Sequence, residues 1–435
     1  MNRNQLTIVV LVLLGSLILR LHNYAIYPQR GATSDEYSYS FLGVSLLTTG
    51  IPVSWSAFGA YENRYDLTIK NLYFPIVSPY FDHPPLNGII VGGWAMLFGE
   101  NSFKKIELAT IRLIPIFFSL VSSILLFGLA WRCFGYLSGL WALIIYTTTT
   151  IFVIQGRVVL AENLLTTLYL TTIYLYLKWW KKLTVARVLV LGIFSGLAVW
   201  TKELGITVCL ALLLLFISER VRLRRIGFLI LTTMLFILFY ILYGTYYDAH
   251  VFWKIINLQT SREVGTQTLH YILSTPIIIN KIYYDGWYFL GFLGLAFSLL
   301  DFRKNRFIVI PWLSYFFLLL FALTQKGEMG WYLIPLFPFM AITTARLIIL
   351  SLERFYWLFL LPIIFLGQYN VRYIFESNFG LVPQQFRILL LLLVVPWILA
   401  LFLRRKALLA RLGRFYFYLF ILGNIYLTYT YIHPA

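Results

Sequence analysis

Residues 80–98 read YFDHPPLNGIIVGGWAMLF, and this stretch decides how the rest of the chain is arranged. Its apolar part, Leu86–Phe98, is shorter than the roughly 20 residues that a transmembrane helix needs. We therefore predict an interfacial or re-entrant helix here; a crossing would invert every later segment. Because two prolines fix the backbone before that helix, Asp82 and His83 are predicted to lie on a stiff turn.

The composition on both sides of this stretch is typical of a polytopic integral membrane protein. Hydrophobic residues make up 60% of the 435 residues and charged residues only 12%, whereas soluble domains are roughly 45–50% apolar. Hydropathy predicts an all-α fold with about 13 transmembrane helices, from Leu6–Leu21 to Phe415–Tyr431. The first of these lacks a small-residue cleavage site and is predicted to be retained.

The distribution of charge predicts the orientation in the membrane. With the N-terminus in the cytoplasm, more than half of the 35 Lys and Arg residues fall in or beside short cytoplasmic loops, as the positive-inside rule requires. Only Glu219, Asp301 and Glu353 of the 17 acids fall on that side. The net charge of +18 is therefore a topology signal, and we predict no nucleic acid partner. The expected location is the plasma (inner) membrane.

The polar segments predict one membrane domain, residues 1–435, that is capped by its own loops. The first extracytoplasmic loop is residues 23–107, the second large outer loop is 247–281, and a third polar segment is 370–387. No internal repeat, low-complexity linker or separate soluble domain is visible. Because an ionised side chain at mid-bilayer costs about 2.5–3.5 kcal/mol, acids gathered in the first loop indicate chemistry there.

The first acidic pair begins a predicted helix of that loop. Ser34 is a typical N-cap residue, and Asp35 and Glu36 occupy the first turn. Gly50 and Pro52 are expected to end the helix. An amphipathic helix in the interface would hold the Asp35 carboxylate at the membrane surface, where a lipid headgroup reacts. The alternative is that both acids only interact with the helix dipole on a solvated helix.

The second cluster is the turn that contains Asp82 and His83. A carboxylate and an imidazole side by side can bind a divalent metal or a phosphate. Metal sites usually have three or four protein ligands, and the sequence supplies no complete set. A capped turn without a ligand is the alternative interpretation.

Five motifs, in chain order, resemble the signature of the GT-C superfamily of glycosyltransferases. They are Asp35-Glu36-Tyr37, Tyr80-Phe81-Asp82-His83-Pro84-Pro85-Leu86, Arg157 with Glu162, Gly196-Leu197-Ala198-Val199-Trp200-Thr201-Lys202 and Trp331-Tyr332-Leu333-Ile334-Pro335-Leu336-Phe337-Pro338. The relatives that these motifs resemble most are the bacterial protein mannosyltransferase-like enzymes of glycosyltransferase family 39 and the lipid A aminoarabinose transferases of family 83. Five motifs in this order are fairly specific for that superfamily.

This resemblance implies a GT-C fold and an enzyme that takes a sugar from a polyprenyl-phosphate carrier on the outer leaflet. It implies that Asp35 lies beside the sugar as a base or an orienting acid, and Glu36 and Glu162 are further candidate catalytic residues. The acceptor could be a lipid, a glycan or a protein, and the sequence does not name the sugar.

The resemblance also implies ligands for the donor phosphate and for a metal. In the aminoarabinose transferases, the segment that resembles Tyr80–Leu86 has Glu-Lys where this chain has Asp82-His83. There the acid contacts a metal, and the lysine and the tyrosine contact the carrier phosphate. Asp82 with His83 is therefore the candidate site for a divalent metal cation. The candidate phosphate-binding residues are Tyr80, His83, Arg157, Lys202, Lys326 and Tyr332.

The chemistry of glycosyl transfer explains these residue types. A single carboxylate such as Asp35 suffices as the base if the reaction inverts at the anomeric carbon in one displacement. The leaving group is a phosphate ester, so cations, tyrosine hydroxyls or a metal would stabilise its growing negative charge. No second nucleophile is then required.

Each outer-side candidate also has a structural alternative. Arg157 and Glu162 could form a purely structural ion pair. Lys202 could simply be a polar residue of the loop between two spans, and Lys326 could be a charge exposed to solvent. Tyr332 could belong to the belt of aromatic residues at the membrane interface.

A different class of function remains open from the sequence. The chain could be a transporter or flippase of a lipid-linked saccharide. Transporters tend to keep ionisable residues near the bilayer midplane on paired repeats, whereas here most acids lie in outer loops. That contrast favours the enzyme.

Overall fold

The computed structural model describes residues 1–69, 71–261, 267–323, 330–380 and 382–433, and these residues are mostly helical. The helices of the first half are α1 (Arg3–Leu21), α2 (Asp35–Thr49), α3 (Pro85–Leu97), α4 (Leu108–Ile111), α5 (Leu113–Phe134), α6 (Tyr136–Thr148), α7 (Thr150–Gln155), α8 (Ala161–Trp179), α9 (Val185–Thr201) and α10 (Ile206–Ser218). Those of the second half are α11 (Leu223–Thr260), α12 (Gln267–Ser274), α13 (Gly286–Leu299), α14 (Phe302–Ala322), α15 (Phe337–Glu353), α16 (Leu360–Leu366), α17 (Arg372–Phe379), α18 (Pro383–Phe402) and α19 (Lys406–Thr430).

Eight helical segments of the described residues are long and apolar enough to cross a membrane. They are Arg3–Leu21, Leu108–Phe134, Leu223–Thr260, Phe302–Ala322, Gly330–Glu353, Tyr356–Ser377, Pro383–Phe402 and Lys406–Thr430. Four more predicted spans coincide with shorter apolar helices, which are α6, α9, Glu203–Ser218 and α13. The remaining one coincides with α8, which has 19 residues and several threonines. Each predicted span therefore has a helix, but the number that cross the bilayer stays a prediction.

The helices differ in how much of their surface faces other protein. The window of Gly330–Glu353 that fits a membrane span is 89% buried, so this segment runs through the centre of the bundle. The corresponding windows of α11 and α18 are only 17% buried, and their exposed residues are mostly apolar. Because apolar side chains without protein neighbours suit a hydrocarbon environment, these two helices form part of the lipid-facing surface.

The segment 23–107, which the sequence predicts as the first outer loop, contains helices α2 and α3 and a small sheet. Strands β1 (Ser54–Trp55), β2 (Arg64–Ile69) and β3 (Leu72–Val77) form an antiparallel sheet in the order β1-β3-β2. Val77 at the end of β3 pairs with both Ser54 and Arg64. Residues 81–84 carry no helix, and α3 begins at Pro85, so the predicted stiff turn before the helix is confirmed.

Helices α2 and α3 pack against each other through glycines. A Cβ atom on Gly43 would lie 1.8 Å from the carbonyl oxygen of Gly88, and one on Gly92 would lie 2.4 Å from the backbone nitrogen of Val44. Only glycine permits this approach. With 13 residues, α3 is roughly 20 Å long at 1.5 Å per residue. This close contact fixes the Asp82 turn, which precedes α3, relative to Asp35, which begins α2.

Several predictions about local structure require correction. Helix α2 ends at Thr49 with Gly50 in a left-handed conformation, as expected, but the Ser34 side chain makes no capping hydrogen bond. Helix α2 is not simply amphipathic, because Glu36 and Ser40 are buried together with Leu42. The described residues of the polar segments 247–281 and 370–387 are largely helical rather than open loops.

One of these corrections bears directly on the site. Helix α11 continues to Thr260, well beyond the predicted end of its span at Tyr246, and it is broken at Asp248 (φ −167°, ψ 101°). The part after the break reaches the first outer loop, where the Gln259 side-chain amide donates a hydrogen bond of 2.7 Å to the carbonyl of Asp82. The second outer segment therefore helps to hold the Asp82 turn.

Candidate active site

A cavity of about 350 Å³ lies between the segment 23–107, the C-terminal end of α11 and the segment at Trp331. Its lining contains five of the residues that the sequence singles out, which are Asp35, Tyr80, Asp82, His83 and Tyr332. The other lining residues are Gly31, Ala32, Thr33, Ser34, Ser38, Trp55, Ala57, Phe58, Gln259 and Trp331. Residues that are up to about 300 positions apart in the sequence are thus brought to one cavity.

The Asp35 carboxylate is half-buried in the wall of this cavity. Within the described ranges, its side chain has no hydrogen-bond or ion-pair partner; only its backbone N–H bonds to Thr33 Oγ1, at 3.3 Å. Burial raises the pKa of the Asp35 carboxyl to about 6, with the Lys202 cation opposing and the Glu162 and Glu36 carboxylates adding to the shift. A carboxylate with a pKa near neutral and an accessible oxygen can act as a general base.

The Asp82 turn is held by hydrogen bonds to its backbone and its side chain. The Tyr61 hydroxyl donates to Asp82 Oδ1 at 2.6 Å and accepts from the Phe81 backbone N–H at 2.9 Å. Together with the Gln259 hydrogen bond to the Asp82 carbonyl, these bonds hold the turn through both its backbone and the Asp82 carboxylate. Sequence reasoning missed Tyr61, and no local motif marks it, because it lies 21 positions before its partner.

Aromatic and hydroxyl contacts orient His83 and Tyr80. The His83 ring stacks on Tyr39 with 4.7 Å between centroids and an interplanar angle of 23°, and it meets the Tyr80 ring nearly edge-on at 6.4 Å. The Ser38 hydroxyl donates to the Tyr80 hydroxyl at 2.6 Å. Tyr39 lies one helical turn after Asp35, so α2 supplies both the carboxylate and the ring behind His83.

A buried ion pair lies behind Tyr332. Lys202 Nζ is paired with Glu162 Oε1, and both side chains are buried. The same Nζ lies 4.0 Å from the centroid of the Tyr332 ring, within cation–π distance. Both charged groups influence the Asp35 carboxyl, although neither lines the cavity. The structural alternative of an Arg157–Glu162 ion pair is wrong, because Glu162 pairs with Lys202.

Glu36 faces away from the cavity and is bound to Arg112. Arg112 Nε donates to Glu36 Oε1 at 2.8 Å and Nη2 donates to Oε2 at 2.6 Å, while the Val159 backbone N–H reaches Oε1 at 3.2 Å. Both side chains are almost fully buried. This geometry gives Glu36 a positioning contact rather than access to a ligand. Arg112 is the partner that the sequence did not indicate, since it lies 76 positions away.

Arg157, predicted to bind the donor phosphate, also lies outside the cavity lining. Its side chain is buried, and Nη1 donates to the carbonyl of His22 at 2.5 Å. Burial and the nearby positive charge of Arg112 lower the pKa of Arg157 to about 9, while Tyr431 opposes this shift and Arg20 adds to it. Lys326, the other predicted phosphate ligand, lies outside the described residues.

The described residues do not form a complete metal site. No group of three or more His, Cys, Asp or Glu side chains in the described part of the chain could hold a metal ion. Asp82 and His83 supply two ligands at most, and one oxygen of Asp82 already accepts from Tyr61. A single carboxylate is within the one or two through which Mg²⁺ is usually bound, with water and substrate phosphates in its other positions, whereas imidazole is a ligand of transition metals.

Comparison with known proteins supports the predicted family resemblance. Residues 82–243 match the family described as dolichyl-phosphate-mannose-protein mannosyltransferase. No curated protein matches the sequence.

Three solved structures share the fold. ArnT from Cupriavidus metallidurans, bound to undecaprenyl phosphate, is 15% identical with a TM-score of 0.59 over 99% of this chain and 78% of that one. The archaeal oligosaccharyltransferase AglB from Archaeoglobus fulgidus is 12% identical with a TM-score of 0.53 over 100% and 56%. The arabinosyltransferase EmbB from Mycobacterium smegmatis is 14% identical with a TM-score of 0.55 over 96% and 40%.

At these identities, the structural matches establish the fold rather than the substrate. The match to ArnT extends over nearly the whole of this chain, and the mannosyltransferase match covers the cavity turn at Asp82 and the segment up to Tyr243. The predicted all-α membrane architecture and the predicted resemblance are therefore confirmed, and this chain is an integral membrane protein with the fold of the GT-C glycosyltransferases.

Proposed function

We propose that this chain transfers a sugar from a polyprenyl-phosphate donor to a hydroxyl or amine acceptor at the extracytoplasmic face. The observation that carries this proposal is the Asp35 carboxylate, which lines the cavity without a partner among the described residues while the neighbouring acids are engaged. The undecaprenyl phosphate bound to the similar ArnT structure supports a donor of this class. The acceptor is a lipid, a glycan or a protein.

The proposed reaction is a single displacement at the anomeric carbon. The acceptor oxygen or nitrogen bonds to that carbon and gives its proton to Asp35. The bond between the anomeric carbon and the phosphate oxygen breaks, and its electron pair leaves with the carrier phosphate. This displacement inverts the configuration and needs no covalent enzyme intermediate.

The cavity walls supply groups for the leaving phosphate. Tyr80, His83 and Tyr332 line the cavity, and Lys202 places a positive charge behind the Tyr332 ring. We assign binding of the sugar donor's phosphate to these side chains. Hydrogen-bonding and charged groups that are held in place before the reaction stabilise negative charge as it develops. Glu36 and Glu162 act in this proposal as positioning residues, through Arg112 and Lys202.

A divalent cation at Asp82 and His83 is part of the proposal as a phosphate-bound ion rather than a resident one. It would supply further positive charge beside the leaving group when bound. Asp82 itself is held by Tyr61 and Gln259 in either case.

The proposed orientation has the N-terminus in the cytoplasm of a plasma (inner) membrane. The first loop then lies on the extracytoplasmic side, together with the cavity that it forms. The lipid-linked carrier would reach the cavity from the outer leaflet.

The decisive variant is Asp35→Asn, which keeps the shape of the side chain and removes its charge. We expect transfer from synthetic polyprenyl-phosphate mannose or aminoarabinose to fall by roughly 10²–10⁴-fold, the usual contribution of a general base. Asp66→Asn is the matched control, because Asp66 is an exposed acid of the same loop. Full activity of Asp35→Asn at equal expression would exclude Asp35 from the reaction.

The same assay separates the remaining alternatives. Loss of turnover with a chelator and recovery with Mg²⁺ would support the cation, and unchanged turnover would exclude an essential one. Movement of the labelled lipid across sealed vesicles without a covalent product would decide for a transporter of lipid-linked saccharides.

A further inference from the structure

A second cavity lies on the lipid-facing side of the C-terminal helices, apart from the candidate active site. Its volume is about 430 Å³, and it is formed by a π-helical turn (Gly367–Val371), α17, α18 and α19. It shares no lining residue with the first cavity. π-Helical turns inside helices occur frequently at functional sites, and the volume falls within the roughly 300–1,000 Å³ of small-ligand pockets.

The walls of this cavity are apolar, and one face opens toward the membrane. They include Leu366, Leu389, Leu393, Leu419 and Phe420. The neighbouring surface of α18 is also apolar and exposed, with Leu391 at 59% and Leu392 at 65%. A ligand that enters from this side has to come from the bilayer, since the entrance is flanked by side chains that suit only hydrocarbon.

The floor of the cavity carries an oriented amide donor. Asn424 Oδ1 accepts from Trp287 Nε1 at 2.7 Å, so the direction of the amide is fixed. Its Nδ2 is buried and has no hydrogen-bond partner among the described residues. Because an unpaired buried donor is unfavourable, a ligand that brings an acceptor oxygen to Asn424 would gain a hydrogen bond that the protein leaves unmade.

The residues around Asn424 exclude a phosphate as the group that accepts its hydrogen bond. The lining includes no Lys, Arg or His. Asn370, the other amide of the lining, is engaged, because Oδ1 accepts from the Gly286 backbone N–H at 2.8 Å and Nδ2 donates to Asp285 Oδ1 at 3.2 Å. The buried Asp285 carboxylate behind it would repel an anion. The acceptor oxygen is therefore neutral.

The depth of Asn424 indicates which neutral oxygen this is. Asn424 lies six residues before the end of α19, which is about 9 Å along a helix. That end stands beside the end of α1, because His22 stacks on Tyr429 with 3.8 Å between ring centroids. Because two membrane-spanning helices end there, we take these ends to mark the membrane boundary. The amide then lies a short distance inside it, where the ester groups of membrane lipids meet their hydrocarbon chains.

We propose that this cavity binds one acyl chain of a glycerophospholipid and that Asn424 Nδ2 donates a hydrogen bond to the ester carbonyl of that chain. This lipid site is separate from the sugar-transfer site and does not depend on the proposed function. It takes a bulk membrane lipid, not the polyprenyl-phosphate carrier.

The test uses the full chain in nanodiscs that contain phosphatidylcholine with a photoreactive diazirine on one acyl chain. After illumination, mass spectrometry should find adducts concentrated on residues 366–375 and 419–426. Gly423→Phe should lower these adducts by about tenfold, because Gly423 lines the cavity and already has Ile374 Cδ1 3.3 Å from its Cβ position. Gly227→Phe is the matched control, since Gly227 lies on lipid-facing α11 with open space around it.

A second variant tests the hydrogen bond. Wild-type protein should prefer a diacyl over a dialkyl-ether phosphatidylcholine by about fivefold, the equivalent of one net hydrogen bond. Asn424→Leu should abolish that preference while keeping the apolar walls. Adducts spread evenly over the lipid-facing helices, no effect of Gly423→Phe, or stronger competition by polyprenyl phosphate than by phosphatidylcholine would each overturn the proposal.

Discussion

The Asp35 carboxyl sits among charges that should set the pH dependence of transfer. Burial raises its pKa to about 6, and Lys202 opposes while Glu162 and Glu36 reinforce that shift. A base works only when deprotonated, so activity should rise with pH through an acid limb near pH 6. A wild-type limb near pH 4 would contradict the role of the buried carboxyl.

Glu162→Gln tests the electrostatic part of this account. The variant removes a negative charge that raises the pKa of Asp35. It also leaves the Lys202 cation, which lowers the pKa of Asp35, without its counter-charge. Both effects lower the pKa, so the acid limb should move to lower pH, by about one unit. A pH–rate profile at saturating donor measures the shift. A limb that moves upward, or does not move, would contradict the proposed interaction.

The Glu36–Arg112 pair should matter for stability. Glu36→Gln leaves the buried Arg112 guanidinium without a counter-charge, and we expect a loss of about 3 kcal/mol in the free energy of unfolding. Glu107→Gln is the control, because its pair with Arg30 is exposed and should contribute about 1 kcal/mol or less. Denaturant unfolding in detergent measures both. Equal effects of the two variants would contradict a structural role for Glu36.

Some of the candidate residues lie together in the structure and others do not, for a physical reason. Asp35, Tyr80, His83 and Tyr332 do line one cavity. Glu36 was predicted to be a catalytic candidate because it follows Asp35, but adjacent helical residues point about 100° apart, and its partner is set by tertiary packing. Arg157 lies outside the cavity lining for the same reason. A single sequence gives no sign of which buried charge will meet which.

The contact between helices α2 and α3 fixes the position of Asp35 relative to the Asp82 turn in the cavity. Gly43→Ala would place a methyl group 1.8 Å from a backbone oxygen of α3, so the helices must separate. We expect a loss of about 1–3 kcal/mol from overpacking and a fall in kcat as Asp35 moves away from the Asp82 turn. Gly93→Ala is the control, since its new methyl meets only Leu47 Cδ1 at 3.4 Å. Full activity of Gly43→Ala would show that this alignment is not required.

Helix positions followed from hydropathy better than helix lengths did. The predicted spans each coincide with a helix. The polar residues of the segment 247–281 predict a loop, yet α11 continues into it as far as Thr260. Hydropathy reports contact with lipid and not the backbone conformation. The glycine contact of α2 with α3 was not predicted either, because close packing depends on which helices meet.

The orientation of the whole molecule can be tested by cysteine labelling. In a background with Cys133 and Cys209 replaced by serine, Tyr73→Cys should react with an impermeant maleimide on intact cells, since Tyr73 is 55% exposed in the first loop. Leu223→Cys, at the start of α11 and 83% exposed, should react only after lysis. The reverse pattern would place the N-terminus outside and contradict the proposed sidedness of the cavity.

The fold of the whole chain was predictable because the five motifs kept their order along it. Each motif marks a segment that the fold brings to one side of the bundle, and the match to ArnT over 99% of the chain agrees with that arrangement. What the motifs do not encode is which helices face lipid. The membrane-facing cavity with Asn424 therefore had no sequence signal.

Helix α11 connects the lipid-facing surface to the cavity, and its break at Asp248 separates the two parts. The helix before Asp248 is largely exposed to lipid, and the helix after it holds the Asp82 turn through Gln259. When a bilayer is thinner or thicker than the hydrophobic length of a helix, the helix tilts. A tilt of α11 would carry the Asp82 turn with it, so we expect the catalytic rate to depend on the chain length of the surrounding lipids.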